Sequence, residues 1–301
     1  MAGLLGIECG ATHTVAFYET DGEVDRAEFG PANLHLLNDT QLARRLRQIA
    51  RQFPKPSAVA IGMAGARTDA DRQRLRRAAA RVWPGAALHA THDLETALAA
   101  DTRRTAAHRV LVLSGTGSCC YGQSPDGTTA KLGGWGHILG DKGSGYEIGL
   151  RALKACVFYL DRDGTWSALG QRLLRRLQLN APEALIDWVA QAEKAEVAGL
   201  AGEVFAAWAK RDKIARDILD GAAATLARDA CACACKLAGK TAPIRFLLAG
   251  GVLLNQPLFG QGGQGHPRPA ARLTGRPAEK RKWHRRVAAC PPLGQAPGDQ
   301  A

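Results

Sequence analysis

The stretch spanning residues 111–145, LVLSGTGSCCYGQSPDGTTAKLGGWGHILGDKGSG, constrains the chain more than any other. An apolar strand runs into Ser114-Gly115-Thr116-Gly117-Ser118, a turn whose missing side chains let backbone N–H groups close on an anion. Residues 119–123 and 128–132 then read as a hairpin across the turn Pro125-Asp126-Gly127. Gly133-Gly134-Trp135-Gly136-His137 and Gly140-Asp141-Lys142-Gly143 follow and lead into a helix. Glycine is costly to order, so this density points to close backbone approach; a flexible loop is the plain alternative.

The N-terminal third sets up the same strand pattern. Residues 4–9 form a short apolar strand ending in Gly10-Ala11-Thr12-His13-Thr14. Residues 15–19, the turn Asp21-Gly22 and residues 23–29 add two antiparallel strands. Asn38 or Asp39 caps a helix carrying Leu42, Leu46, Ile49 and Phe53 at helical spacing, ended by Pro54 and Pro56. Residues 57–65 read as a buried parallel strand, 69–83 as a second helix and 87–91 as a further parallel strand. Asp93 follows that strand and precedes a helix over 94–100, where open α/β sheets place ligands. The simpler role for Asp93 is the N-cap of that helix, and the two are compatible.

From residue 109 the pattern restarts with three strands, 109–115, 118–123 and 128–132. A helix from Ser144 would bury Leu150, Leu153, Val157 and Leu160. Helical segments follow on Trp166, Leu169, Leu173 and Leu177, on residues 182–194, and on Val197, Leu200, Val204 and Trp208, with these tryptophans at core spacing. A long helix over 212–238 and a strand over 244–251, ending in Gly250-Gly251-Val252 and Asn255, complete the repeat.

Composition narrows the class. With 46% hydrophobic and 23% charged residues, the chain belongs with soluble globular proteins. No apolar stretch reaches the length of a membrane span, and the N-terminus lacks the basic region of a signal peptide, so a cytoplasmic protein is expected. The net charge of +12 is half contributed by residues 260–301, so the body requires no polyanionic partner. The eight cysteines show no paired CxxC spacing, and Cys231, Cys233 and Cys235 alternate along a helix, which predicts buried reduced thiols. The tail 260–301 is rich in Gly, Pro and Arg without apolar periodicity and is expected to be disordered. Its GxGxxG at 260–265, the Gly239-Lys240-Thr241 triplet and the basic cluster 280–286 lack the context that gives such motifs meaning.

The ordered set of strand, GTGS turn, hairpin, GGWG and GD-x-GS resembles the N-acetylglucosamine kinase branch of the BadF/BadG/BcrA/BcrD ATPase family, within the actin, hexokinase and Hsp70 superfamily. The likeness runs over about residues 4–255. It implies an α/β fold of two ribonuclease H-like (actin-like ATPase) lobes around a nucleotide cleft, at residues 1–107 and 108–259. The second lobe would hold a helical insertion and be incomplete at its C-terminus, since the tail 260–301 replaces a final strand and helix.

The activity implied is ATP-dependent phosphorylation of an amino sugar: N-acetylglucosamine, or a relative such as N-acetylmuramic acid or glucosamine. Asp93 would be the general base. Gly10 and Thr12 would form the first phosphate loop, and Gly115, Thr116, Gly117 and Ser118 the second. Gly250 and Gly251 would pack against the adenosine, while Asn33, Asp93, Gly134, Trp135, Gly136 and Asp141 would line the sugar site. Glu8 would support Mg²⁺ through water. It stands where the family has Asp, Cys9 where Gly is usual, and His13 where Lys or Ser is common. Plainer roles remain for several of these: a turn cap for Glu8, a turn residue for Asn33, a helix cap for Asp141, and an ordinary strand-to-helix turn for the glycine pair. The resemblance also admits a homodimer. Two rival readings are an ATPase that activates a radical dehydratase, which requires cluster-binding cysteines, and a catalytically inactive sugar- or nucleotide-binding regulator with a basic tail.

Overall fold

The structure is a computed structural model of the 301-residue chain and describes residues 3–10, 12–99, 108–238 and 242–256. The tail, with its GxGxxG and basic cluster, and Gly239-Lys240-Thr241 lie outside the described residues. The chain divides into two compact units, residues 1–105 and 106–301.

In the first unit, β1 (Leu4–Cys9), β2 (Thr14–Thr20) and β3 (Glu23–Phe29) form an antiparallel meander. Its tight turn is set by Asp21 and Gly22, both at positive φ. α1 (Asp39–Ala50) starts with a reciprocal capping box between Asn38 and Gln41. It ends at Ala50, before the prolines, so Phe53 packs from the following turn, stacked on Tyr18 at 5.9 Å. β4 (Ala58–Met63), α2 (Asp69–Val82), β5 (Ala87–Thr91) and α3 (Asp93–Ala99) follow. The sheet order is β3-β2-β1-β4-β5, with β1, β4 and β5 parallel.

Strand alternation decides what each face of this sheet holds. Leu5, Ile7, Val59, Ile61 and Met63 are buried with Leu42, Leu46, Ile49 and Leu75 of α1 and α2. The opposite face carries Leu4, Gly6 and Glu8. α3 approaches its C-terminal edge because Gly62 has no side chain: a Cβ there would lie 1.6 Å from Thr96 Oγ1. Farther from α3, Leu4, Phe17 and Val24 stay exposed.

The second unit repeats the plan. β6 (His108–Ser114), β7 (Ser118–Gln123) and β8 (Thr129–Gly133) are antiparallel, and β9 (Ile244–Ala249) pairs with β6 in parallel. The order β8-β7-β6-β9 matches β3-β2-β1-β4 strand for strand, as expected of two ribonuclease H-like lobes. Between β8 and β9 lie α4 (Gly136–Leu139), α5 (Gly145–Asp163), α6 (Ala168–Leu177), α7 (Leu185–Gln191), α8 (Lys194–Gly199), α9 (Ala201–Ala209) and α10 (Lys213–Leu237). α11 (Gly251–Leu254) follows β9.

The α5 stripe differs from expectation. Gly145, Ile148, Gly149, Ala152, Leu153 and Cys156 are buried, whereas Val157 is exposed and Leu150 and Leu160 are only partly covered. The cause is close helix packing, since a Cβ on Gly149 would lie 2.1 Å from the Val197 carbonyl oxygen of α8. The helix therefore buries its small residues. The expected helix over 182–194 is a 3₁₀ turn, Pro182–Ala184, and α7, with Lys194 opening α8. Trp166, Trp188 and Trp208 pack against the core.

Cys9, Cys119, Cys120, Cys156, Cys231 and Cys233 are buried free thiols. Burial pushes Cys9 up to about 12 and Cys233 up to about 11. Cys235 departs from the expected burial: one turn beyond Cys231, near the end of α10, it is exposed.

Gly62→Ala is expected to destabilise the protein by about 1–3 kcal/mol in urea unfolding, because the new methyl overpacks the α3 contact. Thr96→Ala in the same background should recover part of the loss; an unchanged midpoint for Gly62→Ala would contradict this packing.

Candidate functional site

In the first unit the site residues gather at the C-terminal edge of the parallel strands. Glu8 on β1 is in register with Gly62 on β4, and Gly62 with Thr91 on β5, so the three form one row across the sheet. Asp93 stands two residues past Thr91, at the first position of α3. It is not the cap. His92 Nδ1 accepts the Glu95 N–H at 3.1 Å, and Thr91 Oγ1 donates to the Glu95 carboxylate. His92 thus serves the N-terminus of α3, a role the sequence reading missed because His is an unusual residue there.

The Glu8 carboxyl is held above its ordinary value of 4.5, first by loss of water around it and then by the negative charge of Asp93, with His13 opposing. Two carboxyl groups thus share one electrostatic environment. Gly10 closes the β1–β2 turn by donating its N–H to the His13 carbonyl at 2.9 Å, and Thr12 Oγ1 is hydrogen-bonded to His13 Nδ1 at 3.1 Å.

Asn33 reaches the same edge by a different route. It forms an isolated parallel bridge with Ala64, just past β4, and the Leu34 N–H donates to the Ala64 carbonyl at 2.8 Å. Its Oδ1 accepts from the His35 N–H at 3.0 Å, and Gly65 at φ +89° makes room for it. Arg74 of α2 fixes the following loop, donating to the carbonyls of Leu34 at 2.8 Å and Leu37 at 2.6 Å. Asn33 is therefore both a turn residue and an edge residue.

In the second unit, the turn Gly115 to Ser118 joins β6 to β7. Gly115 donates to the Gly117 carbonyl at 2.9 Å. The rest of its anchoring comes from the segment before α5. Ser118 N–H donates to Asp141 Oδ1 at 3.1 Å, Ser118 Oγ to the Lys142 carbonyl at 2.8 Å, and Ser114 Oγ to the Gly143 carbonyl at 2.8 Å. Gly145 N–H donates to the Gly115 carbonyl at 2.8 Å. Asp141 is buried, and its Oδ2 takes Lys194 Nζ at 2.7 Å. Ser144 is the cap of α5, accepting from the Glu147 N–H, so Asp141 is not that cap.

Gly250 and Gly251 sit against this same turn. Gly250 has φ +88°, and a Cβ there would lie 2.3 Å from the Ser114 carbonyl oxygen. Only glycine fits. The Gly133, Gly134 and Gly136 backbone also adopts positive φ, and Trp135 between them is 72% exposed. Ile138 and Leu139 of α4 extend that exposed apolar surface.

No group of three or more His, Cys, Asp or Glu residues able to hold a metal ion occurs among the described residues, and no described helix is long and apolar enough to cross a membrane. The Glu8 carboxylate, crowded by the charge of Asp93, is a hard oxygen group whose charge a cation held through water would offset. That suits a small divalent ion drawing its other ligands from water and phosphate.

Comparison with known proteins agrees with this picture. An N-acetylmuramic acid/N-acetylglucosamine kinase from Clostridium acetobutylicum is 32% identical over 267 residues, covering 85% of this chain and 87% of that protein. An N-acetyl-D-glucosamine kinase from Dictyostelium discoideum is 42% identical over 79 residues, 26% of this chain and 25% of its own length. The crystal structure of a proposed N-acetylglucosamine kinase from Chromobacterium violaceum superimposes with a TM-score of 0.65 at 25% identity, covering 82% of this chain and 87% of that one. The profile of the BadF/BadG/BcrA/BcrD ATPase family matches residues 5–262, and the chain belongs to that family.

Proposed function

We propose that this protein is an ATP-dependent kinase that phosphorylates a hydroxyl of an amino sugar, N-acetylglucosamine or N-acetylmuramic acid. The observation that carries the reading is Asp93 at the C-terminal edge of the parallel strands, beside the Glu8 row and close enough for its charge to raise the Glu8 carboxyl. The relative from Clostridium acetobutylicum supports the choice of sugar.

In this reading Asp93 accepts the proton of the sugar hydroxyl, taken as the 6-hydroxyl, as that oxygen attacks the γ-phosphorus in line. Phosphoryl transfer depends mainly on positioning and charge stabilisation, so the remaining residues orient and neutralise. The turns at Gly10 to Thr12 and Gly115 to Ser118 hold the phosphates through backbone N–H groups other than those of Gly10, Gly115 and Ser118, which are spent on His13, Gly117 and Asp141 and shape the turns. Gly250 and Gly251 bring the adenosine against the second turn. Asn33 and the Gly134-Trp135-Gly136 backbone line the sugar; Asp141, expected there from the sequence, is instead buried with both oxygens engaged by Ser118 and Lys194, and braces the second turn. Mg²⁺, which Glu8 would support through water, supplies neutralisation of the phosphate charge when bound. The reading places the enzyme in the cytoplasm, where free thiols persist.

The dehydratase-activator alternative needs a set of cysteines gathered for a cluster. Six of the seven described thiols are buried, and no group able to hold a metal ion occurs among the described residues.

The first test is ADP release on N-acetylglucosamine, glucosamine and N-acetylmuramic acid. Asp93→Asn should lower kcat by about 10²–10⁴-fold with little change in the KM for sugar, as loss of a general base does. Sugar-independent turnover, or an unimpaired Asp93→Asn enzyme, would refute the assignment.

Glu8 yields a prediction with two readouts. Its folded pKa lies above its unfolded one, so ionising it opposes folding. That penalty is absent below about 4.5 and grows as pH rises through the folded value. Glu8→Gln should therefore raise the thermal midpoint at pH 7 but not at pH 4, while increasing the Mg²⁺ concentration needed for half-maximal turnover. A lowered midpoint at pH 7 would assign Glu8 a structural bond instead.

A further inference from the structure

Asp141 is a buried carboxylate, 5% exposed, in a left-handed backbone conformation at φ +56°. One oxygen is spent on the Ser118 N–H of the second phosphate turn and the other on Lys194 Nζ, 53 residues downstream. A Cβ on Gly117 would lie 2.9 Å from each of these oxygens, so the carboxylate rests directly on the turn. An anion held there, unneutralised, would repel the polyphosphate that the turn is built to receive.

Lys194 is placed with unusual rigidity for a lysine. It opens α8, at whose start the Glu196 carboxylate accepts the Glu193 N–H at 2.7 Å. α8 lies on α5 through glycines: Cβ atoms on Gly145 and Gly149 would lie 3.2 Å from the Ala198 carbonyl and 2.1 Å from the Val197 carbonyl. Gly145 in turn donates its N–H to Gly115 of the turn. The turn, the start of α5, α8 and the Asp141–Lys194 pair thus form a closed ring of contacts.

We propose that Lys194 is a positioning residue for the nucleotide: it neutralises Asp141 behind the second phosphate turn and so keeps the Ser118 N–H fixed there without an opposing charge. The proposal rests on the kinase reading for its ligand, ATP, but not for its geometry. Lys194 acts through Asp141 and need not touch the substrate.

The test compares Lys194→Met, Lys194→Arg and the double variant Asp141→Asn/Lys194→Met. Calorimetry with ATP should show a dissociation constant raised about tenfold in Lys194→Met, the scale of a charge-assisted hydrogen bond, with AMP affinity changed less than about twofold. Lys194→Arg should stay close to wild type. The double variant, which keeps an acceptor for the Ser118 N–H but has no charge to neutralise, should regain most of the ATP affinity. Hydrogen exchange of the peptide spanning residues 114–118, without nucleotide, should be faster in Lys194→Met than in wild type or Lys194→Arg. Equal losses for ATP and AMP, no recovery in the double variant, or unchanged exchange would each overturn the proposal. Wild-type protein that fails to bind ATP would overturn the kinase reading instead, and the exchange experiment would still decide the role of Lys194.

Discussion

A backbone turn can offer its N–H groups to an anion only if something else holds its carbonyls and side chains in place, and here that support is the segment from Asp141 to Gly145. Ser114, Ser118 and the Gly115 carbonyl are each tied to it by a hydrogen bond. Gly250 presses on the turn from the β9 side, backbone against backbone. In the first unit the corresponding turn is anchored, among the described residues, by the Gly10 N–H to the His13 carbonyl and the Ala32 N–H to the Gly10 carbonyl. The two sheets repeat one strand order, but their turns are braced differently.

The absence of side chains does as much as their presence. α3 can bring Asp93 to the Glu8 row because Gly62 leaves room for Thr96, and α8 can reach the turn because Gly145 and Gly149 leave room for its backbone. Each of these glycines lies in regular structure, where glycine weakens the element. Glu8, whose charge is disfavoured by its surroundings, adds a further cost at the same edge. Sites that bind charge often oppose stability in this way.

Much of this was legible in the sequence, because local rules suffice for strands, caps and tight turns. The meander of β1 to β3, the Asn38 cap and the duplicated order all follow from short-range patterns. Where long-range packing decides, the reading failed. Leucine spacing pointed to Leu150, Leu153, Val157 and Leu160 as the buried stripe of α5; Leu153 is buried, but the neighbouring helix turns the buried face toward Gly145, Gly149 and Ala152 and away from the other three. Phe53 lies outside α1 because the chain turns at Arg51, before any proline. His92 as a cap and Arg74 as the clamp on the Asn33 loop had no short-range signature. Lys194 had none either, since its partner lies in a different helical neighbourhood.

The buried thiols give the molecule an internal clock. A thiol reacts as its thiolate, and burial keeps Cys9 in the first unit and Cys233 in the second almost wholly protonated at neutral pH. Their alkylation therefore waits on transient opening of the surrounding core, whereas Cys235 reacts from the folded state. Mass-resolved labelling of the three sites would time the opening of each unit separately, with the exposed cysteine as the reference hand.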